Sequence, residues 1–245
     1  MPAKIVDEII NETRTLDDEA FFRYLGEKWQ HDTVFATSFG VEDQVITHML
    51  RQYAPGIGVF TLDTGRLFPE TYEVWEETRR RYELEITAYF PDRSQTEPLL
   101  SRVGPLSFYR SREARKQCCH IRKVLPLQRA LAGKKAWITG MRREQAPSRT
   151  GLERVEWDEA HQMIKFNPLI HWTTQEVWDF VKKHDIPYNK LHDRGFVSIG
   201  CAPCTRAIEP GQSLRDGRWW WEEPEQRECG IHIVDGKLVR TRDAK

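Results

Sequence analysis

Val34-Phe35-Ala36-Thr37-Ser38-Phe39-Gly40-Val41-Glu42-Asp43-Gln44-Val45-Ile46 is the stretch from which the fold is read. Its first residues form a short apolar run that predicts a strand. Ser38 and Gly40 break that run, and from Val41 onward the segment continues as a helix. A strand, a small-residue turn and a helix N-terminus together make a site for an anion, because free backbone N–H groups and the helix dipole converge there. The turn lacks the lysine of a Walker loop and the three glycines of a dinucleotide fingerprint. A plain strand-to-helix connection uses similar residues, so phosphate binding is one of two readings of this turn.

Moving outward, the same order repeats. Val59 to Asp63 predicts a second strand, and Pro69 follows early enough in the next helix to be tolerated in its first turn. Leu84 to Phe90 alternates as a third strand, Ala136 to Gly140 reads as a fourth, and Met163 to Leu169 as a late one. Residues 17–30 and 173–184 read as helices, the latter capped by Thr173 with Val177, Trp178 and Val181 facing inward. Residues 110–131 read as a helix that Pro126 kinks or divides, and 91–107 as a loop. Strand followed by helix, repeated, predicts an α/β fold with a parallel twisted sheet flanked by helices. Ligands of such sheets sit beyond the strand ends, which nominates Asp63 for a ribose or base, although a turn-forming Asp looks identical. The Arg-rich run after the fourth strand, with Arg142 and Arg143, suits an oxyanion clamp or a solvated loop.

Five cysteines carry the chemistry: the adjacent pair Cys118 and Cys119, the C-x-x-C pair Cys201 and Cys204, and the single Cys229. Two distant pairs commonly close one metal site. Neighbouring side chains on a helix diverge by roughly 100°, so adjacent thiolates reach one tetrahedral ion only with strain. They reach two irons of a [4Fe–4S] cluster more easily, which favours a cluster, with zinc remaining as the alternative. Cys229 is left over. A single cysteine is either a buried hydrophobe or a nucleophile, the latter if cations such as Arg227, His232, Arg215 or Arg218 favour its thiolate.

Composition narrows the class further. The chain has 245 residues, with 37 basic against 37 acidic side chains and no net charge, so no global basic field recommends nucleic acid as the partner. Hydrophobic content of 39% with 30% charged residues fits a soluble globular protein. No apolar run has the length of a membrane span, and the N-terminal stretch has no cleavable signal pattern, so a cytoplasmic location is expected. An odd number of cysteines there favours metal binding and catalysis over a disulfide frame. After Cys204 the density of Gly and Pro predicts a C-terminal arm over 205–245, following a core over 1–204. Trp219-Trp220-Trp221 reads as packing within that arm.

Six stretches taken together resemble the assimilatory sulfonucleotide reductases, specifically the cluster-containing adenylyl-sulfate (APS) reductases. They are Thr37 to Asp43, Leu62 to Tyr72, Lys116 to Cys119, Gly140 to Gln145, Cys201 to Cys204, and Arg227 to His232. The resemblance implies an adenine-nucleotide alpha hydrolase-like fold and a [4Fe–4S] cluster held by Cys118, Cys119, Cys201 and Cys204. It further implies that Cys229 attacks the sulfate sulfur and that thioredoxin or glutaredoxin acts as reductant. The expected substrate contacts are Ser38, Phe39, Gly40, Glu42, Asp63, Thr64, Gly65, Lys123, Arg142, Arg143, Arg215, Arg218 and His232. Relatives using the 3'-phosphorylated substrate (PAPS) generally lack the four ligand cysteines, so APS is the expected substrate, with dual use left open. An ATP-using thiolation enzyme of the same superfamily and a zinc-stapled binding module are the rivals. Assembly into a homo-oligomer is left open.

Overall fold

The computed structural model describes residues 2–146, 149–223, 233–234 and 237–238. Six strands form one sheet: β1 (Thr33–Thr37), β2 (Gly58–Leu62), β3 (Ile86–Tyr89), β4 (Ala136–Ile138), β5 (Val155–Asp158) and β6 (Met163–Phe166). Their spatial order is β3-β2-β1-β4-β6-β5. Every neighbouring pair is parallel except β5 with β6, which pair antiparallel at one edge. β1 is where the order reverses, since β2 and β3 lie to one side of it and β4 and β6 to the other. That is the topological switch point at which open sheets bind ligands.

Helices cover both faces. Successive residues of a strand point to opposite sides, and β1 illustrates it. Phe35 enters a large core with Phe21, Phe22, Leu25, Val45, Ile46 and Phe166, built mainly from α2 (Asp18–Trp29), α3 (Val41–Tyr53), α8 (Thr174–Lys183) and α1 (Pro2–Thr13). Val34 enters a smaller core with Phe60, Leu127, Leu131 and Trp137, under α7 (Leu125–Leu131). α4 (Pro69–Tyr82) begins with its proline at the first turn, as expected. The Thr173 cap of α8 is a full capping box: Thr173 receives the Glu176 N–H, and the Glu176 carboxylate receives the Thr173 N–H at 2.7 Å. Val177 and Val181 are buried as expected, whereas Trp178 is only half-buried.

Two expectations are corrected. Residues 91–107 are not a loop, because α5 (Arg93–Val103) occupies most of them, started by the Asp92 carboxylate accepting the Ser94 N–H at 2.7 Å. The prolines at 91 and 98 mask this cap-initiated helix. The long helix at 110–131 does divide, but the break lies ahead of Pro126. α6 (Arg112–Cys119) passes into a π turn at His120–Val124, where the Leu125 N–H bonds back to His120 O, and Pro126 then sits in the first turn of α7. Proline is tolerated there because its missing N–H has no helical partner to lose. The wide π turn is of a kind often found at functional sites. The short pair β7 (Ile233–Val234) and β8 (Lys237–Leu238) is antiparallel and separate from the main sheet.

The two cores set a measurable expectation. Phe166→Ala removes a fully buried ring that meets Phe21 and Trp29 edge-on, and should lower stability by about 3–5 kcal/mol in urea unfolding. Phe90→Ala, at a residue 53% exposed, should stay within about 0.5 kcal/mol. Equal losses for the two would contradict the core assignment.

Candidate active site

A cleft of about 470 Å³ opens beyond the ends of β1, β2 and β4. One wall is the β1–α3 turn. The Asp43 carboxylate reaches back across it, with Oδ2 accepting the Ser38 N–H at 2.6 Å and the Ser38 hydroxyl at 2.7 Å. Phe39 takes a left-handed backbone, φ 59°, which costs a bulky residue free energy and turns the loop sharply. Gly140, just past β4, has no side chain where a methyl group would overlap the Asp43 carboxylate. Burial pushes the Asp43 carboxyl up to about 7, against the pull of its bonds to Ser38.

The structure separates the expected substrate contacts into two groups. Ser38, Gly40, Glu42, Thr64, Lys123, Arg142, Arg215 and Arg218 all line the cleft. Phe39, Asp63, Gly65 and Arg143 do not. The Phe39 ring stacks on Trp75 at 5.4 Å. Asp63 is the turn-former of the two readings: its carboxylate accepts the Gly65 N–H at 2.8 Å and the Tyr72 hydroxyl at 2.9 Å. Arg143 donates to Leu152 O and to Glu153. Arg142, though it lines the cleft, is engaged by protein: its guanidinium binds Glu42 at 2.8 Å, Glu144 at 2.9 Å, Trp172 O and Thr174. It therefore fixes the wall, and Glu42 is its counter-ion. Cys229 and His232 lie outside the described residues.

Several cleft residues are not singled out as contacts by the sequence reading, among them Arg149, Thr174, Trp178 and His192. Arg149 closes the Arg-rich loop, buried and donating to Gln145. Thr174, Trp178 and His192 come from the α8 region, which reads as scaffold by its periodicity. His192 is held edge-on to Trp178 at 5.3 Å, its Nε2 buried with no hydrogen-bond partner among the described residues and its basicity lowered by burial. No sequence signal distinguished these residues, because a helix face that packs and a helix face that lines a cleft have the same apolar spacing.

Beside the cleft, and sharing Lys123, Cys201, Arg218 and Trp219 with it, is a second, smaller cavity lined by all four paired cysteines. α6 supplies Cys118 and Cys119, and the 201–204 loop supplies the other pair. That loop is tied to the end of β2: Ala202 N–H donates to Arg66 O at 2.8 Å, and Thr64 Oγ1 lies 3.2 Å from Cys201 Sγ. The Tyr109 hydroxyl holds Pro203 O at 2.5 Å. Arg66, Arg115, Arg122, Lys123 and Arg218 line the same cavity, and among the described residues no carboxylate does. Nε of Arg122, Nε of Arg218 and Nε1 of Trp219 are buried there without hydrogen-bond partners among the described residues. Burial, reinforced by Cys201, pushes the Cys204 thiol up to about 12, while burial raises Cys118 against the pull of Arg122 and Arg66. Among the described residues, no three His, Cys, Asp or Glu side chains gather closely enough for a single metal ion.

The raised Asp43 carboxyl predicts a pH signature. An unfolded carboxyl titrates near 3.8, but the folded one keeps its proton to about 7, so Asp43 favours folding at low pH and loses that contribution as pH rises between those values. Both Ser38 donors converge on one oxygen, which Asn can supply. The stability of the wild type minus that of Asp43→Asn, measured in urea from pH 4 to 7, should therefore decline by up to about 4 kcal/mol. Parallel curves would remove the buried-carboxyl assignment.

Residues 32–207 match the phosphoadenosine phosphosulfate reductase domain. An adenosine 5'-phosphosulfate reductase of Allochromatium vinosum is 51% identical over 199 residues, 81% of this chain and 78% of the relative. One of Burkholderia cepacia is 48% identical over 217 residues, 88% and 86% of the two chains. Among solved structures, the phosphoadenylyl-sulfate reductase of Candida auris in a phosphate complex superposes with TM-score 0.70 at 26% identity, covering 83% of this chain and 96% of that one. Yeast FAD synthetase, at TM-score 0.54 and 16% identity over 84% of this chain and 75% of that one, shares the fold. A cleft at the switch point of this sheet, with matches spanning most of the chain in sequence and in structure, makes the chain a member of the phosphoadenosine phosphosulfate reductase domain family.

Proposed function

We propose that this reductase converts adenosine 5'-phosphosulfate to sulfite and AMP in assimilatory sulfate reduction. The observation that carries the reading is the adjacency of two sites: a nucleotide-sized cleft at the sheet's switch point, and a cavity walled by four cysteines that shares Cys201, Lys123 and Arg218 with it. APS is favoured over PAPS because the relatives at 51% and 48% identity are named for APS, against 26% for the PAPS reductase.

In the proposed reaction the Cys229 thiolate attacks the sulfuryl sulfur. A sulfur–sulfur bond forms, the sulfur–oxygen bond to the phosphate breaks, and its electron pair leaves on AMP. A thioredoxin or glutaredoxin thiolate then attacks Cys229 Sγ and expels sulfite with its electron pair. The second thiol of the donor resolves the mixed disulfide, so the donor is oxidised by two electrons and Cys229 returns as a thiol. Splitting the reduction into two displacements replaces one difficult step by two easier ones. Lys123, Arg149, Arg215 and Arg218 on the cleft wall suit the negative charge that moves from sulfate to phosphate as AMP departs.

Cys118, Cys119, Cys201 and Cys204 are the residues that would hold a [4Fe–4S] cluster. The donor set fits: soft thiols, three of them buried and Cys118 half-buried, faced by cations, with N–H groups nearby that have no partner among the described residues and can receive sulfur as acceptor. Thiols this deeply buried lose their protons when a metal takes their place. When bound, the group supplies a compact thiolate-ligated charge around which these cations order. The odd cysteine count and the lack, among the described residues, of any helix long and apolar enough to cross a membrane agree with a cytoplasmic setting.

Three measurements test the reading. Incubation with APS and no thioredoxin should leave an adduct of sulfite mass on Cys229 that Cys229→Ser abolishes, and an adduct persisting in that variant would refute the nucleophile. Iron and sulfide content should collapse in Cys201→Ala, whereas stoichiometric zinc in the wild type would overturn the cluster. Sulfite release with reduced thioredoxin should be faster from APS than from PAPS.

A further inference from the structure

The Arg-rich loop after β4 crosses the end of one strand before the chain re-enters the sheet. β4 and β5 follow one another in sequence, yet β6 lies between them in space. Because β6 is parallel to β4 and antiparallel to β5, Ile138, Phe166 and Val155 fall on one rung, and the loop leaves and returns at the same end of the sheet. One position beyond Phe166, between the two ends of the loop, stands Asn167, 0% exposed. Its Oδ1 accepts the Thr139 hydroxyl at 2.6 Å where the loop starts, and its Nδ2 donates to Glu153 O at 2.8 Å where the loop returns. The main chain repeats the tie: Thr139 N–H donates to Phe166 O at 2.9 Å, and Asn167 N–H to Arg154 O at 2.8 Å. Nδ2 also donates to Glu156 Oε1 at 3.2 Å, and that oxygen lies 2.6 Å from Lys165 Nζ, so the amide is fixed in orientation.

An amide buried this completely is unfavourable unless its donors and its acceptor are engaged. Here they are, and a satisfied buried network specifies one arrangement. What this network specifies is the separation of the loop's two ends, two strand spacings or about 10 Å. From that base the loop reaches over the cleft, which Gly140, Arg142, Gln145 and Arg149 line and Asn167 does not. On the far side Arg142 and Gln145 both donate to Glu42, and the buried Arg149 donates to Gln145. The loop is therefore held at its base by Asn167 and at its tip by Glu42. We propose that Asn167 is a positioning residue that clasps the base of the Arg-rich loop, so that Arg149 meets the phosphate of the bound nucleotide. Asn167 acts through Arg149 and touches no substrate itself. The proposal rests on the cleft being a nucleotide site.

The full-length protein tests this with Asn167→Ala, which removes both arms of the clasp, and with Thr139→Val, which removes one and keeps the shape. AMP and adenosine are the probes, since they differ only in the phosphate. AMP should bind Asn167→Ala at least ~10-fold and Thr139→Val at least ~3-fold more weakly than the wild type, while adenosine affinity changes by less than ~3-fold in both. Arg149→Ala should show the same selective loss. Adding Asn167→Ala to it should weaken AMP by less than a further ~3-fold, because residues that act through one contact are not additive. In limited trypsin digestion both clasp variants should be cut after Arg143 and Arg149 faster than the wild type, Asn167→Ala by at least ~10-fold, because cleavage follows the population of the opened loop. Equal losses for AMP and adenosine would make Asn167 a residue of the fold alone and overturn the proposal. So would losses that multiply in the double variant, or wild-type affinity and cleavage in both clasp variants. A wild type that binds neither probe would instead sink the nucleotide reading of the cleft, and the trypsin rates would still decide whether Asn167 holds the loop.

Discussion

One buried carboxylate governs how this molecule opens a site. Asp43 lies in the first turn of α3, yet its oxygens serve the turn before it, holding Ser38 by both backbone and side chain. The position is attainable only because the neighbouring strand ends in Gly140 and because the backbone at Phe39 accepts a left-handed turn. Each of these is locally unfavourable. Together they shape one wall of the cleft at the sheet's switch point. The anion-site geometry expected of a strand–turn–helix is present, but part of it is satisfied internally by a carboxylate, so the loop and the nearby cations share the work of receiving a charged ligand.

Arg142 and Glu42 show the same division. The guanidinium nearest the turn is fully engaged by Glu42, Glu144, Trp172 O and Thr174, and so braces the wall that connects α3, the Arg-rich loop and α8. An arginine in a ligand cleft is as often a brace as a clamp, and only its partners tell which. Two guanidinium N–H groups donating to one Glu42 oxygen, with Glu144 on a third, shield the charge and fix the plane of the group, which is what a wall requires and what a mobile substrate contact does not.

How much of this was legible in the chain divides along physical lines. β1, its turn and α3 were readable because a hydrophobic run, a small-residue break and a helical repeat follow one another within thirteen residues. Thr173 with Glu176 is a local pattern with a local mechanism, and it appeared as expected. α5 was hidden, since its prolines resemble loop punctuation while the Asp92 cap that starts it is one residue among many. β5 pairs antiparallel at the sheet edge through Val155–Asp158, a run whose strand character depends on its neighbour β6. The cleft roles of Trp178 and His192, and the pairing of Arg115 with Glu222, are long-range facts. No spacing rule links residues 107 apart in sequence.

The cysteine cavity carries this last point furthest. Its walls come from α6, the 201–204 loop and the segment around Trp219, three pieces of chain joined by Thr64, Arg66 and Tyr109 at the seams. Four of its lining residues also face the cleft. A shift of α6 therefore cannot be confined to the cysteines: it moves Arg115, which holds Glu222, and Lys123, which faces both spaces. What fills that cavity therefore bears directly on how firmly the cleft wall beside it stands.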